Sequence, residues 1–223
     1  MSNEIEIRSS IKNILKDNFD GIIIDEFGLP RTRPDVVLLS EKYFIAIEIK
    51  SDKDTLNRLD SQIRDYTIYF DSVIVIVDII HKNKIIDKHG LHDSSFYYYE
   101  NGDIYNMNGY KLKEMISPNN SRYLVQKKLS PELHKILWAE ERRQLLKPIG
   151  GCPNTREFNA LLYCFTTYEL DRYSRELILS RWEYLSHQEK RFNPGYKGGK
   201  LKDKIKHIEH KKVLLEEFKN HKE

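Results

Sequence analysis

The sequence predicts an α/β core followed by a mainly helical second half, on three observations. Residues 73–77 (VIVIV) form a continuous β-branched run, the pattern of a strand buried on both faces. A second apolar strand, residues 43–49 (YFIAIEI), precedes it, and the stretch between them has helical periodicity; strand, helix and strand imply a right-handed crossover and a parallel pair. Beyond about residue 130 the apolar spacing is helical throughout.

Taken in order, residues 4–18 carry Ile7, Ile11, Ile14 and Leu15 at helical spacings, with Asn3 as N-cap and acids in the first turn. Gly21 breaks this helix, and Ile22, Ile23, Ile24 and Phe27 begin a β segment with Glu26 in or just after it. Residues 35–39 (DVVLL) and 43–49 read as a hairpin around Ser40, Glu41 and Lys42. A helix is expected over 54–70, with Leu56, Leu59, Ile63, Tyr66 and Phe70 as its apolar line and Asp54, Arg58 and Gln62 as a polar row. Residues 96–99 and 103–107 flank Asn101-Gly102 as an edge hairpin, and 117–123 (SPNNSRY) read as a linker. Further helices are expected over 130–146, 156–166 and 168–187, before a Gly-rich GYKGG turn and a Lys-rich terminal helix.

With 223 residues, 39% of them apolar, the chain can pack a core, either as one large domain or as two small ones. The expected division is 1–125 and 126–223. Cys152 and Cys164 predict reduced thiols, and no Cys/His cluster has zinc spacing. The chain opens MSNEIEIR, without the basic and apolar regions of a signal peptide, and its apolar runs are too short to span a bilayer. These features predict a cytoplasmic protein with no membrane partner. Residues 1–125 have net charge −4 and residues 126–223 have +7, which would suit metal binding beside polyanion binding.

Chemistry concentrates between Arg33 and Tyr66. Side chains two apart on a strand share a face, so Glu48 and Lys50 point together while Ile45, Ile47 and Ile49 enter a core. Charges held on an apolar strand are costly unless paired or metal-bound. If the hairpin sets Asp35 near Glu48, two carboxylates converge beside the Lys50 ammonium, and two carboxylates with water and phosphate oxygens are the usual all-oxygen shell for Mg²⁺. A metal there would stabilise charge on a phosphorane-like transition state, with Lys50 orienting the attacking water and Gln62 reaching back from the helix. The plainer readings are a Glu48–Lys50 ion pair on a solvated face, Asp52 and Asp54 as helix caps, an Asp54–Arg58 pair, solvent-facing His81 and His89, and Tyr97, Tyr98 and Tyr99 as sheet packing.

Pro34 and Asp35, then Glu48, Ile49 and Lys50, then Gln62 and Tyr66, resemble the PD-(D/E)XK nuclease superfamily. Its core is a helix, a three-stranded meander, a crossover helix and a parallel fourth strand. The run EIKSDKDTLNRLDSQ, with the Arg33–Asp35 segment and the leucine-rich helix around Trp138, is similar to a group of small, mostly uncharacterised bacterial and phage nucleases. The resemblance covers residues 4–90 and implies a restriction-endonuclease-like fold. It also implies Asp35, Glu48 and the Ile49 carbonyl as metal ligands, Lys50 as catalytic lysine, and an acid from the first helix, Glu6 ahead of Glu4. The implied activity is Mg²⁺-dependent hydrolysis of DNA, with Mn²⁺ as a substitute metal. The implied roles are repair, recombination, restriction or phage-related DNA processing, with a possible homodimer and the basic half helping to hold the backbone. The alternatives are a catalytically silent nuclease-like module that binds DNA or protein, and RNA as substrate. DNA structure, base specificity and pathway stay open.

Overall fold

A computed structural model describes residues 3–40, 42–115, 130, 132–152, 156–187 and 208–220. The chain divides into two compact units, residues 1–128 and 129–223. The expected linker at 117–123 and the GYKGG turn lie outside the described residues.

The first unit opens with α1 (Glu4–Asn18), where Asn3 Oδ1 accepts the Glu6 N–H at 3.0 Å and caps the first turn. Ile7, Ile11 and Leu15 are fully buried on one stripe of this helix, each contributing roughly 1.5–3 kcal/mol of burial. After α1 the backbone passes so close to Leu39 that a Cβ on Gly21 would lie 2.8 Å from its carbonyl oxygen.

Three strands follow as an antiparallel meander, β1 (Ile22–Asp25), β2 (Val36–Leu39) and β3 (Phe44–Lys50). The chain then crosses through α2 (Leu59–Thr67) to β4 (Ser72–Asp78), which runs parallel to β3. A 3₁₀ turn at Ile79–His81 and α3 (Lys82–His89) lead to β5 (Phe96–Glu100), parallel to β4. The edge strand β6 (Asp103–Asn106) returns antiparallel, and a short α4 (Leu112–Met115) follows. The mixed sheet therefore has six strands in chain order, flanked by helices.

Alternation along β3 separates two layers. Ile45, Ile47 and Ile49 join Ile7, Ile11, Leu15, Val36, Leu38, Ile74, Ile76, Tyr97 and Tyr99 in one core. On the opposite face Phe44 packs on Phe70 at 4.4 Å and on Phe27 at 5.7 Å between ring centres, and Tyr66 meets Phe70 edge-on. Glu48 and Lys50 belong to this second face, beneath α2.

Three elements differ from expectation. The helix expected over 54–70 starts only at Leu59, because Asp54 Oδ2 accepts both the N–H and the hydroxyl of Ser51, at 2.8 and 2.6 Å, and closes a turn of its own. Asp54 therefore does not cap α2. The hairpin expected at a sheet edge lies half inside, since β5 pairs with β4; its Asn101-Gly102 turn has positive φ at both residues, as its sequence demands. The helix expected over 130–146 is split into a 3₁₀ turn, Leu133–Ile136, and α5 (Ala139–Leu146). Trp138 is extended there, and Glu141 Oε2 accepts its N–H at 2.7 Å, so a new helix begins.

The second unit continues with α6 (Glu157–Cys164), α7 (Thr167–His187) and α8 (Ile208–Asn220). Its buried charges are paired: Arg175 donates to Asp171 at 3.0 Å, and Lys211 donates to Glu169 at 2.8 Å and to the Cys164 carbonyl at 3.0 Å. Both cysteines are free thiols. Among the described residues no helix is long and apolar enough to cross a membrane.

Candidate functional site

Four chain segments meet where β1 and β3 end and β2 begins. The register sets Val36 opposite Ile47, so Asp35, one residue before β2, reaches the last residues of β3. Asp35 Oδ2 accepts the Ile49 N–H at 2.7 Å, a bond that continues the ladder through a side chain and fixes the carboxylate.

Glu48 is 2% exposed and Lys50 7%. The Glu48 carboxylate accepts three hydrogen bonds: Lys50 Nζ at 2.6 Å and Gln62 Nε2 at 2.5 Å on Oε1, and the Tyr66 hydroxyl at 2.6 Å on Oε2. The pair that could have lain on a solvated face is therefore buried under α2. Thr32 donates in turn to the Tyr66 oxygen at 3.3 Å.

A second acidic group adjoins the first. Glu4, Glu26 and Asp35 each offer a carboxylate oxygen within 4.8 Å of the others. Arg8 lies among them, with Nη2 on Glu4, on Glu26 at 3.1 Å and on Asp35 at 3.4 Å. Its Nη1 lies on Asp25 at 3.3 Å and on the Asp35 carbonyl at 2.6 Å. Glu26 adopts the left-handed region (φ 56°), which few non-glycine residues do, and its N–H donates to the Asp35 carbonyl at 3.1 Å.

The electrostatics follow from this crowding. Burial, then the charge of Glu48, pushes the Asp35 carboxyl up to about 7, against the Ile49 N–H and Arg8, which pull it down. Burial and the same Glu48 charge raise the Tyr66 hydroxyl. Burial would lower Arg8, but bonds to Glu4 and Glu26 and the charge of Asp35 outweigh it and raise it.

The carboxylates of Glu4, Glu26, Asp35 and Glu48 line an open cavity of about 650 Å³. Asp35, Glu48, Ile49, Lys50 and Gln62 all border it, as does the whole polar row Asp54, Arg58 and Gln62. Glu6 does not. It is exposed on α1, whereas Glu4 borders the cavity and Arg8 lies one turn on. Two residues turn a helix through about 200°, so Glu4 and Glu6 cannot share a face.

Sequence reasoning missed Arg8, the hydroxyl role of Tyr66, and Glu26 as a site acid. Two of them carried a signal: Arg8 is four residues after Glu4, and Tyr66 four after Gln62. His81 is buried, not solvent-facing, and its Nε2–H donates to the Ser51 carbonyl at 3.0 Å, one residue beyond Lys50. His89 is half-buried and stacks on Phe96 at 4.4 Å.

The donor set fits a hard divalent cation. Asp35 and Glu48 bring carboxylates to the cavity wall and Ile49 a backbone carbonyl, all oxygen donors of the kind such an ion takes. Residues 1–92 match the family model described as Bacteriophage P4 protein cII. The matched segment runs from α1 through α3 and holds every residue that borders the cavity. No curated protein and no solved structure matches the chain.

Proposed function

We propose that the protein is a metal-dependent deoxyribonuclease of the PD-(D/E)XK kind. The observation that carries the reading is the convergence of Asp35, Glu48, Lys50 and Gln62 on one cavity. The element order α1, β1–β2–β3, α2 and a parallel β4 agrees with the core that the sequence resembles. Similarity of residues 1–92 to a phage protein family favours phage-related DNA processing among the roles open to such an enzyme.

Asp35, Glu48 and the Ile49 carbonyl would hold Mg²⁺ or Mn²⁺. When bound, the ion supplies Lewis-acid stabilisation of the phosphorane-like charge and a lowered pKa for its water. The chain's own residues do the rest. Lys50 presents its ammonium beside the phosphate and orients the attacking water, while Glu48 holds it in place. The Gln62 amide stands over the same carboxylate and can turn a donor to a phosphate oxygen. Tyr66 fixes the Glu48 rotamer from below.

A second reading, a silent nuclease-like module that binds without cutting, draws on Arg8: the acidic group already holds a resident cation among its carboxylates. Metal titration separates the two. The nuclease reading expects purified protein to cut at least one of single-stranded, double-stranded or branched DNA with Mg²⁺ or Mn²⁺, and to be silent in EDTA. Inertness on all of them, with matched RNA also intact, leaves the binding module.

A further inference from the structure

The cavity has an acidic floor, yet a nucleic acid must bring polyanionic phosphates to it, so cations are needed at its mouth. Lys50 is not one of them, because it is buried on Glu48 at the floor, where it meets only the phosphate already delivered. Three arginines also border the cavity: Arg31 and Arg33, in the loop between β1 and β2, and Arg58, the N-cap of α2. All three are exposed. Arg33 touches Glu26 at 2.9 Å but keeps 62% of its side chain in solvent. Arg31 and Arg58 have no ion-pair partner among the described residues.

We propose that Arg31, Arg33 and Arg58 form a phosphate-gripping rim that seats the DNA backbone across the cavity. Each guanidinium presents a planar fork of donors that matches two phosphate oxygens at once, which an ammonium cannot do. The rim draws on two separate segments, so it can contact phosphates flanking the one delivered to Lys50. The sequence expectation gave backbone binding to the basic residues after 126; the rim assigns it to the same unit as the acidic site. The inference takes the position of the scissile phosphate from the nuclease reading, but its test reads binding and not cleavage.

The test compares two full-length variants in a Lys50→Met background with Mg²⁺, so that DNA stays intact. One carries Arg31→Gln, Arg33→Gln and Arg58→Gln. The other carries Lys16→Gln, Arg64→Gln and Lys84→Gln, three exposed cations outside this cavity. Fluorescence anisotropy with a labelled duplex is followed across salt concentrations, and thermal melting checks the fold of each. The rim variant is expected to bind about tenfold or more weakly and to lose roughly 2–3 units of the slope of log K against log salt, at about 0.9 per phosphate contact. The control variant is expected to match the parent. Equal affinities and slopes for the two triple variants would overturn the rim. Cleavage by chains that retain Lys50 is scored separately: a parent that cuts nothing defeats the nuclease reading but not the rim, and a rim variant that cuts with unchanged KM defeats the rim but not the nuclease.

Discussion

The Tyr66 hydroxyl donates to Glu48 Oε2 at 2.6 Å, across from Lys50 and Gln62, which both donate to Oε1. A side chain with 0% exposure, and so part of the core, thus ends in a bond to the buried acid of the cavity. Tyr66→Phe keeps the ring and removes one donor. Loss of a hydrogen bond to a buried charged group is expected to cost roughly 1–3 kcal/mol in urea unfolding and to lower kcat more than it raises KM, because the Glu48 rotamer loosens. Unchanged stability would mean that Glu48 is held by Lys50 and Gln62 alone.

Arg8 is shared as an ion-pair partner by Glu4, Glu26 and Asp35. Arg8→Gln leaves three carboxylates facing one another. In EDTA the variant is expected to melt below the parent by the equivalent of roughly 1–3 kcal/mol, and added Mg²⁺ should raise its melting temperature more than the parent's. Differential scanning fluorimetry across a Mg²⁺ series checks both, and an identical metal response would count against the acids as a shared cation environment.

Glu4 and Glu6 separate cleanly. Glu4→Gln is expected to weaken the Mg²⁺-induced rise in melting temperature, because Glu4 borders the cavity. Glu6→Gln, on the exposed side of α1, should stay within about 0.5 kcal/mol of the parent and respond to Mg²⁺ as it does. The reverse outcome would restore the assignment first read from the sequence.

The contrast between these two acids shows what was legible. Ile45, Ile47 and Ile49 against Glu48 and Lys50, and the VIVIV run of β4, announce strands because their periodicity is local. Asp35 could be set near Glu48 because hairpin length constrains register. Which acid of α1 faces the cavity depends on how the Ile7–Ile11–Leu15 stripe docks on the sheet, a tertiary fact. The starts of α2 and α5 were missed for a shared reason: Asp54 and Glu141 spend their carboxylates on nearby backbone N–H groups, and these bonds set a boundary that apolar spacing does not register.

The Asp35 carboxyl gives a pH signature in the metal-free protein. Its value of about 7, raised by burial and then by Glu48, lies above the roughly 3.9 of an unfolded aspartate. Between those two values the folded state keeps a proton that the unfolded state has lost, so stability falls as pH rises through that window. Melting temperatures in EDTA from about pH 5 to 8 are expected to drop more for the parent than for Asp35→Asn. Parallel curves would show that Asp35 ionises freely.

The most direct measurement is nicking of supercoiled plasmid by the parent, Asp35→Ala and Lys50→Ala, with Mg²⁺ and with EDTA, each variant first shown to melt cooperatively. Metal-dependent nicking by the parent is predicted, with both variants slower by about 10² or more. Nicking that survives in either variant, or in EDTA, would contradict a metal-bound phosphodiester site built on Asp35, Glu48 and Lys50.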